Sequence, residues 1–354
     1  ICEVPAPTGQ ELKRARLVAT FWQKRGYMAE IDAVNNVYVR RNGSKRKAPT
    51  LLLLAHTDTV FPASTPIVVQ RKGDRLCGPG ISDNSVSVAA MIHLFDLLDE
   101  LDIKTPTDIV AVANVGEEGL GNLLGARTAV ERYQAQLGAV IAIDGGLGHV
   151  TYGAVGSKRW RITVRGPGGH SYGSFGAPSA IHGLSQIISA IADLQVPQNP
   201  KTTFNVGMIE GGTSVNTIAA EASALLDMRS TDIDELDNLA RQVQTIVEQH
   251  TRPGLRTAFE VLGERPAGIR SLDDPLIKLA GDALRWVGIE PRFGLSSTDA
   301  NIPISLNIPS VCVGVTQGEN AHTLQEFLVV SPLGRGLAQV ARLCIEASLL
   351  LQQN

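Results

Sequence analysis

The chain has 354 residues, 44% of them hydrophobic and 19% charged, with a formal net charge of -3. That length supports a large core and about two domains at roughly 100–200 residues each. The balance of charge leaves no basic footprint for nucleic acid or an anionic membrane surface, and no apolar run approaches the roughly 18 residues of a membrane span.

The N-terminal stretch TGQELKRARLVATFWQKRG opens with Thr8 and Glu11 three apart, which predicts a capping box ahead of a helix. EIDAVNNVYVRR alternates like a strand broken by an Asn-Asn turn. Four later segments share one design. Leu51 to Ala55 is apolar and stops at His56; Ile109 to Val115 stops at Gly116, Glu117 and Glu118. Ala139 to Ile143 stops at Asp144, and Ser310 to Val315 runs into a loop containing His322. Such short, continuous Val/Ile/Leu runs separated by helical stretches, among them Val86 to Leu101, predict buried parallel strands. The four cysteines, Cys2, Cys77, Cys312 and Cys344, are scattered without a C-x-x-C pair. We expect a reduced, cytoplasmic protein with Cys312 as a buried thiol.

Between these segments the pattern changes to strand, helix, strand, strand, helix, strand. That order predicts a ferredoxin-like α+β domain over about Gly156 to Gly263. It would be inserted into an α/β domain formed by residues 1–155 and 264–354, whose mostly parallel sheet carries helices on both faces.

Ligands of open parallel sheets bind beyond the carboxyl ends of the strands. His56, Asp58, Glu117, Glu118, Asp144 and His322 all lie just past such ends. Asp83 sits in the glycine-bounded loop CGPGISDNS before the Val86 helix. Singly, each has an ordinary reading: a satisfied core histidine, a turn acid, a helix cap, a surface loop histidine. Together they crowd one rim with carboxylates, and no Lys or Arg stands among these turns. Unpaired, such acids would repel one another and resist burial, so bound metal is the economical explanation. Imidazole with carboxylate oxygen suits zinc, with manganese or cobalt as alternatives.

The ordered set HTD, GPGISDN, GEEG, IDGG and NAHTLQEF resembles the co-catalytic zinc metallopeptidase family, which includes peptidase T, glutamate carboxypeptidase, acetylornithine deacetylase, succinyl-diaminopimelate desuccinylase and aminoacylase. The resemblance covers nearly the whole chain. It implies two zinc ions per subunit, one on His56, Asp83 and Asp144, the other on Asp83, Glu118 and His322, with Asp83 bridging. It implies that Asp58 orients His56 without binding metal, that Glu117 is the general base, and that the Asp83–Asn84 peptide is cis. In the inserted domain, His170 of GPGGHSYG would steady the oxyanion at a neighbouring subunit's site. Asn216 and Arg229 would touch the substrate backbone or carboxylate, and Asp299 matches a position near the site. The implied assembly is a homodimer through the inserted lid domain.

Two features depart from the family pattern or narrow it. The loop around Asp83 usually reads closer to G-R-G-x-x-D-D-K, so the Lys and the second Asp are missing. Asp-Asn is similar to a related aminopeptidase group, but that group places its extra domain between H-x-D and the bridging Asp, where this chain is short. Asp rather than Glu at position 144 is more typical of the aminopeptidases and dipeptidases, which favours short peptides as substrate over N-acyl amino acids. A dinucleotide site at Gly119, Gly121 and Gly125 is disfavoured, because two glutamates precede it and would repel a pyrophosphate.

Overall fold

The computed structural model describes residues 1–45 and 48–353. It divides into two compact units, residues 1–154 with 269–354, and residues 155–268.

In the first unit the apolar runs become adjacent strands. Ile109–Asn114, Thr50–His56, Leu137–Ile143 and Ser310–Val313 lie side by side and parallel at the centre of a nine-stranded sheet. Every residue of Thr50–His56 is buried, as expected of a strand covered on both faces. Successive side chains alternate sides. Leu51, Leu53 and Ala55 enter a core with the helices Leu12–Gln23, Val86–Glu100, Pro275–Trp286 and Leu333–Leu351. Leu52 and Leu54 face the opposite core, with the helix Leu124–Tyr133 and Ile302 and Ile304 of Asn301–Ser305. Antiparallel strands complete the sheet, including Ala29–Ile31 and Val37–Arg41 on one side and His149–Ala154 on the other. Because the four central strands run the same way, His56, the Glu117–Glu118 turn and Asp144 leave the sheet at one end.

A small antiparallel sheet, Gln70–Lys72, Arg75–Cys77, Phe327–Val329 and Gly318–Glu319, lies beside this unit's core. It connects the chain before Asp83 with the chain after His322.

The second unit has the split order predicted for it. The strands run Thr202–Gly211, Glu221–Ser230, Gly156–Arg165, Arg256–Arg265 across an antiparallel sheet. The helices Ala180–Ala192 and Ile233–His250 bury Leu184, Ile187, Ile191, Leu239 and Val243 in this unit's core with Ile162, Val164 and Met228. Asp232 caps the second helix, its side chain accepting from the N–H groups of Asp234 and Glu235.

The capping box expected at Thr8 and Glu11 does not form. The helix starts at Leu12, and Glu11 caps it without a side-chain hydrogen bond. Thr8 Oγ1 donates instead to Asp58 Oδ2 at 2.8 Å, and Glu11 accepts from the N–H of Gly9. A fully buried carboxylate gains more from a hydroxyl donor than a helix start that water can reach.

Candidate functional site

His56, the last residue of its strand, is 1% exposed, and its ring is held between two acids. Nδ1 turns to Asp58, 3.2 Å from the carbonyl oxygen and 3.6 Å from Oδ1. Nε2 faces Asp83 Oδ1 at 3.0 Å, yet this buried nitrogen makes no hydrogen bond of acceptable direction. Asp83's other oxygen, Oδ2, faces Nε2 of His322 at 3.1 Å, and that nitrogen also lies 2.9 Å from Glu118 Oε1. One carboxylate therefore spans two imidazoles. Ligand atoms of His56, Asp83 and Glu118 all lie within 4.8 Å of one another. An orphaned buried imidazole nitrogen aimed at a carboxylate, with further acids around it, fits a nitrogen-and-oxygen metal site.

Asp83 lies in a tight turn, Ile81–Ser85, immediately ahead of the helix Val86–Glu100. The peptide joining it to Asn84 is cis. Asn84 Nδ2 donates to the carbonyl of Ile143 at 2.8 Å, which ties this turn to the strand that delivers Asp144. Asp83 and Asp144 line a common cavity of about 120 Å³ with Thr316 and Ala321. Asp144 flanks the site across this cavity and lies outside the tight group of His56, Asp83 and Glu118.

Asp58 is completely buried. Its carboxylate accepts from Thr8 Oγ1, from the N–H of Glu117 at 3.0 Å and from the N–H of Glu118 at 2.9 Å. It thereby fixes the turn that carries both glutamates, each of which is 5% exposed.

The charges respond as an unneutralised cluster would. Burial works against a charged His56, but Asp58 and Asp83 raise its pKa well above the ordinary value. Asp83 is opposed by burial too, and contacts with His322 and His56 lower it. Contact with Asp83 raises His322 to about 9. Burial, reinforced by Asp83, pushes Asp144 up to about 7, and burial also raises Glu118. Protons and metal ions compete for these same atoms.

Arg14 and Glu326 were not evident from the sequence, and Asp299 was expected only as a residue near the site. Arg14 is wholly buried and donates to the carbonyls of Thr57 at 2.7 Å, Val4 at 2.8 Å and Cys2 at 2.9 Å. No Lys or Arg stands among these turns in the sequence, and the cation that reaches Thr57 is delivered from the helix Leu12–Gln23. Asp299, 3% exposed, accepts from Asn114 Nδ2 at 2.7 Å, and Asn114 is the register partner of His56. Glu326, fully buried, reaches into the Asp83 turn.

The remaining predicted residues belong to the second unit. Nδ1 of exposed His170 accepts from the N–H groups of Tyr172 and Gly173, each at 3.2 Å. A neutral ring there carries its proton on Nε2. The carbonyl of Asn216 accepts from the N–H of Ser171, so these two residues are close. Arg229 is not with them. It pairs with Asp227, which Arg159 also contacts. It stands eight residues along the strand from Glu221, roughly 25 Å at about 3.3 Å per residue.

Comparison with known proteins agrees with this geometry. Residues 36–152 match the model of peptidase family M28, and residues 152–255 match the peptidase dimerisation domain. Succinyl-diaminopimelate desuccinylase of Delftia acidovorans is 25% identical over 94% of this chain and 92% of its own. A tripeptidase from Staphylococcus aureus shares the fold with a TM-score of 0.83 at 22% identity, covering 98% of this chain and 95% of that one. Aminopeptidase PepT from Bacillus cereus shares it with a TM-score of 0.79 at 22% identity, covering 98% and 96%. The interval between His56 and Asp83 holds only the strands Gln70–Lys72 and Arg75–Cys77, while the dimerisation-domain match follows Asp144. With side chains that could hold a metal gathered at the end of a parallel sheet, and with these two matches in this order, the chain belongs to the M20/M28 family of metallopeptidases.

Proposed function

We propose that this hydrolase uses two metal ions to cleave amide bonds of short free peptides, as an aminopeptidase, dipeptidase or tripeptidase. The observation that carries the reading is the Asp83 carboxylate, with one oxygen toward His56 and the other toward His322. Zinc would be held by His56, Asp83 and Asp144 on one side and by Asp83, Glu118 and His322 on the other; manganese or cobalt suits the same donors. Metal held by these residues would supply Lewis-acid chemistry, polarising the scissile carbonyl and making an attacking water more acidic.

The protein's own groups do the rest. Glu117 takes the proton of the attacking water and delivers it to the leaving amine. Asp58 holds both the His56 ring and the turn bearing Glu117. His170 donates from Nε2 to the developing oxyanion, and Asn216 and Arg229 contact the substrate backbone or carboxylate. Within one copy, Arg229 lies near the end of the strand Glu221–Ser230 that is farther along the chain from Asn216 and from His170, which pairs with Thr217. We therefore assign their contributions to different subunits of a homodimer. The unpaired cysteines support a cytoplasmic setting.

Asp at position 144 supports peptides as substrates. The desuccinylase relative favours a second reading, an N-acyl amino acid deacylase or carboxypeptidase. Product identification by mass spectrometry decides between them. The zinc-loaded protein is given a mixed pool of free di- and tripeptides and N-acylated amino acids. Release of N-terminal residues from the free peptides is expected; cleavage confined to the acylated compounds would establish the second reading.

A further inference from the structure

Glu326 lies four residues beyond His322, outside the residues assigned to the reaction, and its side chain is 0% exposed. Its carboxylate accepts four hydrogen bonds, all from the turn that carries Asp83. Oε2 receives the N–H of Gly80 at 2.7 Å. Oε1 receives the N–H of Ser82 at 2.8 Å, the Ser82 hydroxyl at 2.8 Å and the N–H of Asp83 at 2.9 Å. The backbone joins in, since the N–H of Gly78 donates to the carbonyl of Glu326 at 3.0 Å. Directly after this point, Phe327 pairs with Cys77 in the small sheet.

This is an anion-binding concavity of backbone N–H groups, filled by the protein's own carboxylate. Gly80 sits at φ +75°, and a Cβ there would come within 2.7 Å of the Thr59 methyl, so the turn needs glycine to wrap around the anion. The loop that supplies the anion is the one that presents His322, itself at φ +67°. The two groups facing each other at 3.1 Å, Asp83 and His322, are thus joined through Glu326 over a few covalent bonds and four hydrogen bonds.

We propose that Glu326 is a positioning residue for the metal centre: it sets the separation of the bridging carboxylate of Asp83 and the imidazole of His322. The inference rests on reading those two residues as ligands. Ordinary folding of a surface loop would not require three amides and a hydroxyl, all within three residues of one ligand, to converge on one acid four residues from the other. Glu326→Gln keeps the shape but puts an NH₂ group against a backbone N–H, because every group around the carboxylate is a donor.

The test is zinc affinity of the metal-free full chain by competition with a chromophoric chelator, with circular dichroism and unfolding of the metal-free protein in parallel. Glu326→Gln should bind zinc about 10–100-fold more weakly while keeping the fold, as do losses of other groups that orient ligands. Ser82→Ala, which removes one of the four donors, should weaken zinc binding in the same direction by a smaller factor. A folded Glu326→Gln protein with wild-type zinc affinity would overturn the inference. If Glu326→Gln does not fold, wild-type affinity in Ser82→Ala overturns it. A wild-type chain that binds no zinc would instead overturn the ligand assignment on which the inference stands, so the two failures are distinguishable.

Discussion

The N–H of Glu117 donates to the carboxylate of Asp58 at 3.0 Å, so the proposed base is aimed by the acid that also touches the His56 ring. Glu118, the neighbour of Glu117 in the chain, is the glutamate grouped with His56 and Asp83 in the close set of ligand atoms. Removing the Glu117 carboxylate should leave metal binding intact and remove proton transfer. Glu117→Gln should retain zinc at wild-type stoichiometry and lose about 10²–10⁴-fold in kcat. Metal analysis and steady-state kinetics on the same preparation check this, and retained turnover would refute the assignment.

Asp58 serves a different task and should fail differently. Three donors converge on its oxygens, and His56 leans on the same residue. Asp58→Ala leaves those donors buried without a partner and frees the ring, so zinc affinity should drop about 10–100-fold along with activity. Thr8→Val removes only one donor and should cost about 1 kcal/mol of stability with a small effect on affinity. Denaturant unfolding and chelator competition separate the two variants. Equal effects would mean that Thr8, and not the Glu117–Glu118 turn, is the partner that matters.

Much of this centre was legible because parallel strands covered on both faces are apolar until they end. The residue after the last apolar one then announces itself, as His56 and Asp144 do. The ferredoxin-like unit was legible for a related reason, since its strands and helices alternate in length and period. Arg14 was less so. LKRARL offers three cations, and only the spacing Arg14, Val18, Trp22 marks one of them as sharing the buried helix face. Glu326 stands in NAHTLQEF with no signal of its own, because its value depends on backbone amides 243 to 246 positions away in sequence. Thr8 misled for the converse reason. A local pattern fitted a capping box, and a buried carboxylate 50 positions away claimed the hydroxyl.

The titration of the centre gives a signed pH dependence. His322 is raised from 6.5 to about 9 by Asp83, so its contribution to the metal-free fold is complete below about pH 6.5 and disappears as pH rises through about 9. Asp144 is raised by burial from 3.8 to about 7, so the fold loses stability relative to the unfolded chain as pH climbs across that interval. Both slopes have the same sign: metal-free protein should weaken from about pH 4 to about pH 9. Metal displaces these protons, so zinc affinity should rise over the same range. Thermal unfolding with zinc and with a chelator should show a gap in Tm that widens between about pH 6 and pH 9. A gap that stays constant would show that these groups do not titrate against metal.

His170 should separate catalysis from metal binding, because it belongs to the other compact unit and its ring is exposed. Two backbone N–H groups occupy Nδ1, leaving Nε2 as the donor. If that donor meets the oxyanion only as charge develops, its loss appears in kcat and kcat/KM together, with KM nearly unchanged. His170→Ala should lower kcat about 10²–10³-fold with wild-type zinc content, in the range of a lost oxyanion donor. His170→Gln, whose amide can still donate, should recover part of that loss. Mixing His170→Ala with Glu117→Gln chains then tests the subunit arrangement. If the donor crosses between subunits, a mixed dimer holds one site with both defects and one with neither, and activity returns to a fraction of wild type. If each site uses its own His170, every site in the mixture carries a defect and no activity returns.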